Sequence, residues 1–434
     1  MTAGGKATAR SGARGDEIRI GIALSAMGFV LAGLGACVAI LARDLEEPTG
    51  RLALMSSGFA VGLLLVAVIG PRMLRLWPMP TVLGLGSVVC AVGAVLIAVA
   101  PAYSVAIAGG LLVGLGGALL VLVAPLMLNG PMAAARLSRV NAVASGTGIL
   151  APLAIGTLDG LGPSGRYAML AAAPPLLLLA VLTRRSRPLQ ATNARDAAPP
   201  QWNAEDERPG ERAGEPAGAP AWGAEGGRSG PEVPVLIDSA PAVGLGGKWR
   251  RVGRRVVMDV GAGWLRVVLA VSVEFCFVVW AVARLVASGL PTAAAALLGS
   301  AFPIGMAVGR AIGPIRYRGW SPVFPSGALA ACGTILVSLF DAPAVVALGL
   351  VVAGLGVAPL YPVTLAALVA TPGLSSARLA AVGAMASGTA ILVAPALLAV
   401  LARVVDLRTA YLVTLPLIAV LFLLSRRSDR AAFV

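Results

Sequence analysis

The chain has 434 residues, of which 58% are hydrophobic and only 12% charged, with a net charge of +14 and a mean hydropathy of +0.88. A water-soluble domain keeps roughly a quarter of its residues charged, so most of this surface faces lipid. The excess positive charge lies in short segments between apolar runs, which reads as a membrane-topology signal and excludes a nucleic-acid partner.

Apolar runs long enough to span a bilayer as helices recur from end to end. They are Arg19–Ala42, Leu52–Gly70, Pro80–Ala100, Ser104–Leu128, Val140–Leu161 and Tyr167–Thr183, then Val260–Val286, Pro291–Gly313, Pro322–Phe340, Pro343–Ala370, Leu379–Ala402 and Thr409–Ser425. The expectation is an all-α polytopic membrane protein with twelve transmembrane helices. Its organisation reads as an N-terminal tail (1–18), a six-helix bundle (19–183), a linker (184–258), a second six-helix bundle (259–425) and a C-terminal tail (426–434). Arginines gather on one set of loops, at Arg72 and Arg75, Arg136 and Arg139, Arg184 and Arg185, Arg316 and Arg318, Arg378, and Arg426 and Arg427. The positive-inside rule then places both termini in the cytoplasm and the protein in the inner membrane.

Within the first span, Leu34-Gly35-Ala36-Cys37 resembles a lipoprotein cleavage signal. The apolar run continues past Cys37, which favours an uncleaved spanning helix. The four cysteines, Cys37, Cys90, Cys276 and Cys332, all fall in apolar runs and read as small buried hydrophobes. The chain has no histidine, so neither a metal site nor a Ser-His catalytic arrangement is expected, and no cofactor is implied. The linker is rich in Pro, Gly, Ala and Glu, the composition of a disordered segment. Its basic end, Lys248 to Val257, reads as a positive flank to the seventh span.

The two halves are related in sequence. Ser57-Gly58-Phe59, Gly62, Gly70-Pro71, Arg75 and Trp77 correspond to Ser300-Ala301-Phe302, Gly305, Gly313-Pro314, Arg318 and Trp320. Ala144-Ser145-Gly146-Thr147 matches Ala386-Ser387-Gly388-Thr389, and Arg184-Arg185-Ser186 matches Arg426-Arg427-Ser428, all near an offset of 242. Six spans per half give both halves the same orientation, a parallel repeat about an axis along the membrane normal.

On this layout the chain resembles the major facilitator superfamily over nearly its whole length outside tails and linker. The resemblance implies two six-helix bundles that rock about a central cavity lined by the first, fourth, seventh and tenth helices. The superfamily's basic loop after helix two corresponds here to Gly70-Pro71-Arg72-Met73-Leu74-Arg75-Leu76-Trp77, which lacks the usual Asp. The charge-relay gate that this Asp serves is therefore in doubt. Gly309-Arg310 is similar to the superfamily's Gly-Arg in helix eight.

Glu274 is the acidic residue deep inside a span, in Val271-Ser272-Val273-Glu274-Phe275. An ionised group at that depth costs a few kcal/mol or more, so it faces a partner or a wet cavity. It is the proton-coupling candidate, against the alternative of a neutral hydrogen-bonded strut. Tyr361, Arg310, Arg284 and Asp159 are cavity or gating candidates. For Arg310 the simpler role is snorkelling or binding helix-end carbonyls, and for Arg284 and Asp159 placement at the membrane interface. Gly114, Gly116 and Gly117, with Gly354 and Gly356, read as helix-contact glycines. Pro125, Pro359 and Pro362 permit kinks.

These features read together as a secondary transporter and not an enzyme. The expected cargo is a small, mostly apolar or weakly polar organic molecule, exported in exchange for protons by a monomer. A non-transporting accessory or sensor subunit of the same fold is the alternative, and uptake by a carrier of this fold also stays open.

Overall fold

The computed structural model describes residues 3–52, 54–128, 133–185, 254–313 and 321–432. The linker from 186 to 253, with its basic end up to 253, and the Arg316, Arg318 and Trp320 segment lie outside them. Twelve helical spans follow one another: α1 (Ala3–Asp44), α2 (Leu54–Leu76), α3 (Met79–Val99), α4 (Tyr103–Met127), α5 (Ala133–Gly160) and α6 (Ala173–Arg185). The second set is α7 (Arg254–Ala287), α8 (Thr292–Gly299 and Ala301–Ile312), α9 (Val323–Leu339), α10 (Pro343–Val357 and Leu360–Val369), α11 (Ser376–Leu401) and α12 (Thr414–Ala432). Among the described residues eleven helical stretches are long and apolar enough to cross a membrane, and α9 is a shorter apolar helix. With no water at that depth, each helix satisfies its backbone internally.

The helix boundaries depart from the apolar runs in places with clear causes. Helix α1 starts at Ala3, well before its apolar run begins at Arg19, because a helix continues until its backbone is capped or broken, whereas hydropathy marks only the lipid-facing part. Likewise α7 begins at Arg254, within the stretch expected as linker. The α10 helix breaks between Val357 and Leu360, where Pro359 lacks an N–H to donate. The sixth span opens as a 3-10 turn over Gly165–Ala172 ahead of α6, which carries two prolines near its start.

Helix pairing repeats between the halves. In the first half α4 packs on α3 and α2, and α1 on α5; in the second α10 packs on α9 and α8, and α7 on α11. Across the halves α2 packs on α11 and α5 on α8, which are equivalent pairs with the halves exchanged, and α1 meets α7.

Small residues make these approaches possible. A Cβ on Gly114 would overlap the Phe59 carbonyl oxygen, and one on Gly354 the Phe302 carbonyl oxygen. In the same way Gly116 lies against the Cys90 amide and Gly356 against the Ala330 amide. The glycines carry the repeat at an offset of 240, two short of the value in α5, α6, α11 and α12, whereas Phe59 and Phe302 are 243 apart. Gly117 faces elsewhere, against the Met27 side chain of α1. Three cysteines are buried as expected, but Cys332 is exposed. It lies on α9, an outer helix whose packing partners are α10 and α12, so one of its faces has no helix to cover it.

Candidate functional site

The loops that join α1 to α2 and α5 to α6 define one side of the bundle, and the chain termini the other. On the loop side the halves approach closely. Gly35 of α1 lies against the Val278 carbonyl of α7, and Gly156 of α5 against Ala293 and Leu297 of α8. Toward the termini the contact is polar: Arg310 Nη1 of α8 donates to Ser145 Oγ of α5 at 2.8 Å.

This arginine also faces Glu274. Its Nη2 lies 3.6 Å from Glu274 Oε1, with the carboxylate side chain 14% exposed and the guanidinium 44%. The sequence reading of Arg310 as a snorkelling or end-capping residue is thus corrected. One turn of α8 separates it from Met306, buried in the core, so the side chain can reach between the halves to Ser145. Ser145 in turn donates to the Asn141 carbonyl at 2.9 Å, leaving its oxygen free to accept from Arg310.

Tyr361 stands at the start of the second α10 segment, half-buried, with Ser387 and Glu274 as its polar neighbours. Ser387 is the repeat counterpart of Ser145. Thr147 Oγ1 bonds the Ser25 carbonyl of α1 at 3.0 Å and the Ala144 carbonyl, and Thr389 bonds only its own helix at Met385. Among the described residues no group of three or more His, Cys, Asp and Glu side chains could hold a metal ion.

The remaining two charged candidates stand apart from this cluster, on the loop side. Arg43 makes a two-pronged bond to Asp159 at 2.7 and 2.8 Å, joining α1 to α5. Arg284 is 1% exposed and donates to the Val337 carbonyl at 3.0 Å, the Phe340 carbonyl at 2.6 Å and Asp341 at 2.9 Å. Near the end of α7, where interface placement is expected of Arg284, its guanidinium satisfies the orphan carbonyls at the C-terminal end of α9. Both ion pairs lie within one half, so neither ties the halves together. Sequence reasoning missed Asp341, whose signal is that Arg166 and Arg408 stand 242 residues apart, at the offset of the repeat. Arg408 bonds Asp341 at 2.5 Å, and Arg166 bonds the Ala100 carbonyl at 2.8 Å.

Asp341 lies in the loop before α10, outside the spans. Burial raises its pKa, but the hydrogen bonds from Arg284 and Arg408 outweigh that and hold the carboxyl below the usual range. A lowered folded-state pKa contributes stability above the unfolded value of about 3.9, lost as pH falls through the folded value. The melting-temperature advantage of wild type over Asp341→Asn is therefore expected in full at pH 7 and should shrink in acid. A gap that is constant or widens on acidification would contradict the assignment.

No family model and no curated protein matches the sequence. Solved structures do. A bacterial homolog of the human lysosomal transporter Spinster, inward-facing and unoccupied, aligns over 96% of this chain and 97% of its own, with TM-score 0.65 at 11% identity. The nucleoside transporter NupG aligns over 96% of this chain and 99% of its own, with TM-score 0.60 at 11% identity. A point variant of NupG gives 0.66 at 13% identity, over 96% and 100%. The class is a multi-pass, all-helical membrane protein. Its fold is that of these solved transporters.

Proposed function

We propose that the chain is a secondary transporter that works by alternating access, exporting a small, mostly apolar or weakly polar organic molecule in exchange for protons. The orientation is the one the arginine-rich loops imply, with both termini in the cytoplasm. The observation that carries this reading is the contact of Glu274 with Arg310, which also bonds the opposite half at Ser145. A carboxylate that gains or loses a proton changes its hold on Arg310, and Arg310 is one of the groups joining the halves. Protonation and rocking therefore share one side chain, the differential contact that coupling requires. In this scheme Tyr361 lines the cavity and offers its hydroxyl to cargo. The Arg43–Asp159 and Arg284–Asp341 pairs hold each half rigid as it moves, and the close glycine contacts let helices slide.

The nucleoside transporter and the Spinster homolog share the fold, which supports transport as a class and leaves the cargo to the cavity's own chemistry. Two of the helices that the resemblance assigns to the cavity, α4 and α10, carry no charged residue, which argues against phosphate-bearing or dicarboxylate cargo. The test is accumulation of a metabolite and drug panel in inverted vesicles under an imposed proton gradient. A compound taken up only with the gradient supports the reading. A panel that moves only in right-side-out vesicles would replace export by uptake. An accessory subunit gains if nothing moves in either orientation, a reading favoured by the missing Asp after α2.

A further inference from the structure

The two halves differ at one place where the repeat leads one to expect the same packing. At the terminus-side end of α12, the Arg426 guanidinium lies over the Phe324 ring at 5.4 Å, and Phe324 packs on Phe422 with centroids 5.0 Å apart. The equivalent residues of the first half, at offsets of 242, 240 and 242, are Arg184, Gly84 and Ala180. Both aromatic rings are absent there, and the space they would fill is a groove of about 470 Å³ between α3 and α6.

The groove has a polar mouth and an apolar floor. Trp77, Thr81, Thr183 and Arg184 line it together with Leu85 and Val88. Trp77 and Arg184 are exposed, while Thr183 is buried. A Cβ on Gly84 would lie 2.6 Å from Thr183 Oγ1, so glycine keeps this floor open. Trp77 and Arg184 sit at helix ends, where an indole with an apolar body and a polar tip settles at headgroup depth. Val88 lies seven residues further along α3 than Thr81, about 10 Å deeper at 1.5 Å per residue.

We propose that this groove binds one anionic phospholipid from the leaflet on the terminus side. Arg184 takes the phosphate, with the Trp77 indole N–H as a further donor, and an acyl chain lies along Leu85, Val88 and Ala180. Basic pockets between spanning helices favour such headgroups through charge and donor geometry. In the second half Phe324 occupies the position and satisfies the arginine by cation–π attraction, so no lipid is needed there. The proposal is independent of the transport reading.

The experiment is native mass spectrometry of the detergent-purified full chain titrated with phosphatidylglycerol or phosphatidylcholine. One tightly held phosphatidylglycerol per chain is expected. Arg184→Gln should weaken it about fivefold at low salt, the scale of one basic contact to an anionic lipid, and Arg184→Lys should largely retain it. Val88→Phe, which narrows the acyl slot without touching the charge, should weaken binding of both lipids. Equal binding of the two lipids by wild type, or an Arg184→Gln chain that binds phosphatidylglycerol as wild type does, would overturn the proposal.

Discussion

Glu274→Gln is expected to lower gradient-driven accumulation of the cargo by about a hundredfold or more, the scale on which loss of a positioned proton-transferring side chain acts. Gln keeps the shape of the carboxylate and its acceptor oxygen but cannot cycle a proton. The variant should fold, because the charge left behind on Arg310 is 44% exposed and keeps its bond to Ser145. Only the reverse truncation, Arg310→Gln, leaves a largely buried carboxylate without its cation, so it should lower both melting temperature and transport. Measuring both variants in vesicles, with thermal melts as the folding control, separates coupling from structure. Undiminished accumulation by Glu274→Gln would remove Glu274 from the coupling path while leaving transport itself standing.

The second large effect concerns helix packing. Gly114→Val places two methyl groups where α4 meets the Phe59 carbonyl of α2. Overpacking of this kind typically costs about 1–3 kcal/mol, and more where backbone is the obstacle. The variant should therefore melt several degrees lower or fail to accumulate in the membrane. Gly354→Val should do the same in the second half through Phe302. The control is Gly146→Ala, since a Cβ there would meet nothing within 4 Å; it should melt as wild type does. If Gly114→Val and Gly146→Ala prove equally stable, the close α2–α4 approach is not what holds the first bundle.

Much of this fold is legible in the sequence because a bilayer constrains it so tightly. Backbone groups in lipid must bond within their own helix, so each long apolar run is a span, and the run lengths count them. The repeat at Ser145-Gly146-Thr147 and Ser387-Gly388-Thr389 is visible because both copies kept small and hydroxyl residues in step. The glycines of α4 and α10 announce close contacts for the same reason. Glu274 stands out because charge at that depth is costly without a purpose.

Other features were beyond sequence reasoning because they depend on which helix faces which. Arg310 and Glu274 are 36 residues apart in the chain, and nothing in either segment shows that α8 turns this arginine inward. Arg284 looks like an interface residue until α9 ends beside it and supplies carbonyls to bind. Asp341 is one acidic residue in a loop until Arg284 and Arg408 converge on it from two other helices. The groove beside Arg184 exists only because Gly84 and Ala180, 96 residues apart, stand opposite each other and both lack a ring. Hydropathy and helix periodicity are local properties, so the sequence by itself determined the spans and their order. Partner choice among helices depends on side-chain shapes meeting across space, and the tertiary structure alone decided which charges are paired, which are buried and where a groove is left open.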